Sequence, residues 1–145
     1  KTIILFSKNT KRSLMHSQDF SRALVPLSLT KKNIAGEIFN ISSEKSLTWE
    51  KLFLTYCKIL KIKARFKYIN KEKLKKIDRR TYYSTIGDRI KSVQFNLNKL
   101  KKYVPKFKER ISFENGLRRV IIHSKKNPLD EIRYKKYLQI YNKLL

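Results

Sequence analysis

Between Ser13 and Leu60 two helical patterns and two apolar runs follow each other so closely that few fold classes can hold them. Leu14-Met15-His16 reads as a short apolar strand ending at His16. Ser17 supplies a hydroxyl that can cap a helix, and Asp19 falls in its first turn, where the helix dipole favours a carboxylate. Phe20, Ala23, Leu24 and Leu27 form one apolar face, with Pro26 expected to kink or shorten the last turn. Asn33 to Gly36 close that helix, and Glu37 to Ile41 read as a strand buried on both faces. After the polar turn Ser42 to Lys45, Thr48 caps a helix bearing Trp49, Leu52, Phe53, Tyr56, Cys57 and Leu60 at spacings of three and four. Strands alternating with helices predict the α/β class.

The remainder extends that pattern. Thr2 to Phe6 is a short apolar strand, and the strict alternation from Ala64 to Ile69 predicts a half-exposed one. Glu72 to Ile77 reads as a short helix, followed by an irregular segment with Tyr82 and Tyr83. Val93 to Phe95 reads as extended, and Asn96 as the cap of a helix from Leu97 to Val104 that Pro105 ends. Ser112 caps a helix that runs through His123 and closes before Asn127-Pro128. A last helix from Asp130 to Leu145 places Tyr134, Leu138, Tyr141 and Leu145 on one face. The last third is therefore mainly helical. With no internal repeat and no long linker, residues 1–145 form a single domain. The chain begins with Lys1, which reads as an excerpt or a processed product.

Charge narrows the partners. Against 36 Lys and Arg stand 11 Asp and Glu, a net charge of +25, which attracts nucleic acid, anionic membrane or phosphate-bearing ligands. The lysines recur from Lys8 to Lys143 without gathering in one segment, the pattern of a composition spread over the whole chain. No apolar run reaches the ~18–20 residues of a membrane span, so no membrane partner is expected. The single Cys57 excludes an internal disulfide and suits a reducing compartment, hence a cytoplasmic protein; its place on an apolar face reads as structural. His123, with one other His and no carboxylate cluster, gives no metal site.

In order, six stretches resemble the C-terminal half of NAD(P)-dependent epimerase/dehydratases of the extended short-chain dehydrogenase/reductase family. Met15-His-Ser-Gln-Asp-Phe-Ser-Arg-Ala-Leu24 is similar to the family's His-x-x-Asp-x-(Ala/Ser)-x-Ala stretch. Gly36-Glu-Ile-Phe-Asn-Ile-Ser-Ser43 is similar to its Gly-Glu-x-(Tyr/Phe)-Asn-Ile-Gly-Ser strand and turn, and Leu47-Thr-Trp49 precedes a helix as it does there. Gly87-Asp-Arg with Ser92-Val-Gln-Phe-Asn-Leu-Asn-Lys-Leu100, Val104-Pro-Lys-Phe107 and Phe113-Glu-Asn-Gly-Leu117 complete the set. The resemblance covers roughly residues 2 to 125 and implies the C-terminal part of a Rossmann-like fold. It also extends to RNA-binding proteins that share this fold.

That resemblance implies a substrate-binding portion of an enzyme acting on nucleotide sugars, with NAD or NADP held elsewhere in the full-length enzyme. The family's Gly-x-x-Gly-x-x-Gly turn is absent, since the three glycines stand at 36, 87 and 116. Its Tyr-x-x-x-Lys pair is absent as well. No catalytic, cofactor-binding or metal residue is therefore expected within this segment. Arg12, counted back from His16, matches an arginine that contacts substrate phosphate in some epimerases, a task for which a guanidinium is suited. Arg89 follows Gly87-Asp88, whereas the family's phosphate arginine precedes that pair. His16 at a pocket floor and Asn40, with Ser42, at a strand's C-terminal end complete the expected substrate-binding set of Arg12, His16, Asn40 and Arg89. Asp19 reads as a first-turn carboxylate. A second reading is a diverged, non-enzymatic relative that binds RNA through its basic surface, where Tyr82 and Tyr83 amid Arg79, Arg80 and Arg89 stack bases or pack on the core. A third is a fragment without activity. A homodimer is a further candidate assembly.

Overall fold

The computed structural model describes residues 2–5, 7–128 and 131–144. Phe6, Asp130 and Leu145, to which the sequence assigns a strand end and the two ends of a helix, lie outside the described residues. The first strand, β1 (Thr2–Leu5), leads through a turn to β2 (Lys11–Ser13) and helix α1 (Ser17–Ser28). After an irregular stretch come β3 (Ser46–Thr48), α2 (Trp49–Leu60) and β4 (Arg65–Tyr68). Two short helices follow, α3 (Lys71–Ile77) and α4 (Arg79–Ser84), and the backbone widens into a π-helical turn over Thr85–Arg89. Helices α5 (Asn98–Tyr103), α6 (Phe113–Lys126) and α7 (Glu131–Leu144) make the last third helical, as the sequence implies.

The strands form two separate pairs. β1 runs parallel to β4, with Thr2 opposite Arg65 and Leu5 opposite Tyr68, and the connection between them carries β2, α1, β3 and α2. A parallel pair needs such a crossover. β2 runs antiparallel to β3, Arg12 facing Leu47. The Tyr141 hydroxyl donates to the carbonyl of Thr2 at 2.7 Å, tying α7 to β1. The core lies elsewhere, where Ala23 and Leu27 of α1 meet Leu100 and Val104. Ile34, Phe39, Ile41, Tyr103 and Phe107 close around them, with the Phe39 and Tyr103 rings edge to face at 5.2 Å. Cys57 is buried on α2.

Several helix ends follow local chemistry. Thr48 Oγ1 accepts from Lys51 N at 3.1 Å and Ser112 Oγ from Asn115 N at 3.3 Å, the expected caps of α2 and α6. α6 ends at Lys126, just before Asn127-Pro128, as the sequence implies. Pro26 lies inside α1, which ends two residues later.

Other expectations require correction. The apolar piece before α1 is not a strand ending at His16: the ladder closes at Ser13, because β3 offers only three residues to pair with. Not Ser17 but His16 caps α1, its ring Nδ1 accepting from Gln18 N at 3.1 Å. Along α1 the buried positions are Asp19, Ala23 and Leu27, spaced by four, whereas Phe20 and Leu24 on the adjoining strip are exposed. Asn33 to Gly36 lie beyond that helix. Gly36 adopts φ +76° in a turn closed by Glu37 N donating to Ile34 O at 3.0 Å, a left-handed position that suits glycine. Glu37 to Ile41 form no strand, since no neighbouring backbone pairs with them; Phe39 and Ile41 turn inward while Ile38 is 83% exposed. The segment with Tyr82 and Tyr83 is helical rather than irregular because Asp78 caps it, accepting from Thr81 N and Thr81 Oγ1. Val93 to Phe95 join no ladder, although Val93 N donates to Lys11 O at 3.1 Å. Helix α5 starts one residue later than expected, with Asn96 Oδ1 accepting from Asn98 N. On α7, Tyr134 and Leu138 are exposed, and Leu144 is the buried end.

Candidate functional site

Where β2 passes into α1, a crevice of about 920 Å³ opens between four segments. Leu14, Met15 and His16 form one side, the turn from Ser43 to Leu47 a second, and the loop from Pro105 to Ser112 a third. The first turns of α6 complete it with Phe113, Gly116, Leu117 and Val120. Apolar side chains make most of the walls, while Lys45, Lys101, Lys106, Lys108 and Arg110 supply positive charge.

Asp19 holds this geometry together. Fully buried in the first turn of α1, its carboxylate accepts from Arg110 N at 3.1 Å and Ile111 N at 2.9 Å, more than ninety residues along the chain. Arg22 Nη1 donates to it at 2.6 Å. Burial pushes the Asp19 carboxyl up, but the backbone N–H groups of Ile111 and Arg110 and the Arg22 guanidinium outweigh it, leaving the group below its ordinary value of 3.8. The loop is thereby fixed to the helix that begins beside His16.

His16 is half-buried at the crevice, and its cap role assigns Nδ1 as acceptor, leaving the proton of the neutral ring on Nε2. Gly116 lets α6 approach this ring: a Cβ there would lie 3.3 Å from His16 Cδ2. On α6, Glu114 accepts from Arg118 at 2.8 Å and pairs with Lys58 at 3.7 Å, contacts that hold its carboxyl below the usual range. Arg119 Nη1 donates to Gln18 Oε1 at 2.8 Å, joining α6 to α1. On the opposite side Glu44 pairs with Lys101, and Glu44 N donates to Glu109 Oε1 at 2.9 Å.

Of the four residues expected to contact substrate, only His16 lines the crevice. Arg12 lies beside Trp49, its Cζ 5.9 Å from the ring centroid, with Nη1 2.8 Å from Asp88 Oδ1 and Nη2 donating to the Asp88 carbonyl. Its Nε is buried without a partner. Trp49 Nε1 donates to the carbonyl of Arg89 at 3.0 Å, so Arg12 and Arg89 meet through one indole. Asn40 is exposed and outside the crevice lining. The Pro105–Ser112 wall was legible only as the short Val104-Pro-Lys-Phe107 similarity, which carries no sign of a site.

No glycine stands in a strand-to-helix turn among the described residues: Gly36 follows a loop, Gly87 lies in the π-helical turn and Gly116 inside α6. The residues present therefore do not fit a dinucleotide pyrophosphate, which needs backbone N–H groups at a glycine-rich helix start. Among the described residues no group of three His, Cys, Asp or Glu is placed to hold a metal. Nor is any described helix long and apolar enough to cross a membrane.

These elements define an α/β chain with the fold of the C-terminal part of an epimerase. Two solved structures of UDP-glucuronic acid 4-epimerase from Bacillus cereus share it. The structure in complex with NAD matches 80% of this chain and 31% of its own, with a TM-score of 0.58 and 20% identity. The one in complex with UDP-glucuronic acid and NAD matches 81% and 33%, again with a TM-score of 0.58 and 20% identity. The chain thus spans about a third of the length of these structures. No protein-family model matches the sequence, and no curated protein does.

Proposed function

We propose that this chain is the sugar-nucleotide-binding portion of an NAD-dependent epimerase- or dehydratase-type protein. In this reading the cofactor and the proton-transferring pair come from residues beyond this stretch. The observation that carries the proposal is the shared fold with an enzyme solved with UDP-glucuronic acid and NAD. The crevice supports it, since its volume falls in the range of roughly 300–1,000 Å³ that bound small molecules occupy.

The chain's own residues then bind and orient. Lys106 and Lys108, exposed at the crevice, attract the diphosphate, and the apolar walls exclude water from the base and sugar. His16 donates from Nε2 to a hydroxyl or phosphate oxygen. Arg12, outside the crevice lining, spends its two Nη groups on the Asp88 carboxylate and backbone carbonyl and meets a ligand phosphate only by releasing the carboxylate.

Calorimetric titration of the chain with UDP-glucuronic acid tests this reading. Saturable binding is expected, weakened roughly 10-fold by joint Lys106→Ala and Lys108→Ala substitution. Equal affinity in the variant, or heat that never saturates, would remove the crevice from the function.

A further inference from the structure

A second feature stands apart from the crevice, on the α3–α4 hairpin. Residues 71–84 hold six cations, Lys71, Lys73, Lys75, Lys76, Arg79 and Arg80, against Glu72 and Asp78. Four arginines elsewhere are engaged, Arg12 with Asp88, Arg22 with Asp19, Arg118 with Glu114 and Arg119 with Gln18, while Arg65 and Arg110 are exposed but lie on no helix. Among the described residues, Arg79 and Arg80 are exposed with no carboxylate at ion-pair distance. The nearby Asp78 carboxylate is taken up in capping α4.

Next to these cations Tyr83 is 61% exposed, an aromatic ring with no place in the core. Arg79 and Arg80 precede it by four and three residues, spacings that set side chains side by side on a helix. Its centroid lies 5.3 Å from that of Tyr82 with the rings 74° apart, and Lys75 Nζ lies 5.6 Å from the Tyr82 centroid. The ring is thus braced by one neighbour and otherwise largely open to solvent. An open ring flanked by uncompensated guanidinium groups matches the chemistry of an unstacked base between two phosphates. A duplex buries its base faces and offers nothing for the ring to stack on.

We propose that the α3–α4 hairpin is a binding surface for single-stranded nucleic acid, with Tyr83 stacking on a base and Arg79 and Arg80 holding the flanking phosphates. None of these residues lines the crevice, so this surface stands or falls independently of the sugar-nucleotide reading.

Fluorescence anisotropy with a labelled oligouridylate of roughly 12 nucleotides, at ~150 mM salt, tests it. Tyr83→Ala is expected to weaken binding roughly 10-fold, while Tyr83→Phe, which keeps the ring, retains it. Joint Arg79→Ala and Arg80→Ala substitution lowers the slope of log affinity against log salt by about 1.4, or about 0.7 per phosphate. Joint Lys125→Ala and Lys126→Ala substitution, at the exposed end of α6, leaves binding within about 2-fold and serves as the charge control. Unchanged affinity in Tyr83→Ala, equal losses in the two double variants, equal competition by duplex, or binding to phosphatidylserine vesicles without binding to the oligonucleotide would each overturn the proposal.

Discussion

The crevice wall and the α3–α4 hairpin draw on the same basic composition and use it in opposite ways. At the wall, carboxylates organise backbone: Asp19 accepts from Arg110 N and Ile111 N, and Glu109 from Glu44 N. The cations there, Lys106 and Lys108, are presented from a loop that others hold in place. On the hairpin the one engaged carboxylate, Asp78, caps its own helix, and the guanidinium groups of Arg79 and Arg80 face solvent. With 11 acidic residues against 36 basic ones, the placement of each carboxylate decides which cations are structural and which are available to a ligand. Net charge alone cannot make that distinction.

The sharpest break in the comparison is Asp19→Asn. The amide keeps the shape but loses the charge and accepts through one oxygen, so one of two part-buried backbone N–H groups is left unpaired beside an uncompensated Arg22. About 3 kcal/mol of stability is expected to be lost, read from urea unfolding. Faster amide exchange is expected at Arg110 and Ile111 than at Lys101, in α5. A loss no larger than that of an exposed substitution would mean that the wall is held by something else.

A smaller effect of the same group appears with pH. The folded Asp19 carboxyl lies below its unfolded value near 3.8, so the native state binds fewer protons there. Its contribution is fully present above that value and is lost as pH falls through the folded one. Acid unfolding followed by circular dichroism should therefore fall less steeply below about pH 4 in Asp19→Asn than in the parent. Identical acid limbs would contradict the assignment.

The smallest effect is expected on the hairpin. Joint Arg79→Ala and Arg80→Ala substitution removes no ion pair, so stability should stay within about 0.5 kcal/mol by urea unfolding. A larger loss would show that these arginines are structural and would erase the contrast with the wall.

How much of this was legible in the sequence follows the range of each interaction. Thr48 and Ser112 announce their helices because a cap and an apolar spacing are local signals. The α/β class and the helical last third could be read for the same reason. Glu37 to Ile41 have the composition of a strand, but a strand needs a neighbour, and no stretch of sequence reveals that none is placed beside them. α4 lacks an apolar stripe and looks irregular; the available signal was Asp78, three residues before Thr81. His16 displaced Ser17 as the cap because an imidazole nitrogen accepts as a hydroxyl does.

The site was harder to read. Asp19 is correctly a first-turn carboxylate, but its grip on Arg110 and Ile111 spans more than ninety residues and leaves no local trace. Arg12 could be picked out by resemblance, whereas its pairing with Asp88 and its position by Trp49 depend on the π-helical turn that no periodicity predicts.

Whether the crevice binds a sugar nucleotide is read by amide chemical-shift mapping of the chain during titration with UDP-glucuronic acid. Saturable shifts are expected at His16 and along residues 106–112, with the α3–α4 amides unmoved. Shifts confined to the α3–α4 hairpin, or none that saturate, would contradict this and leave the crevice without a ligand of this class.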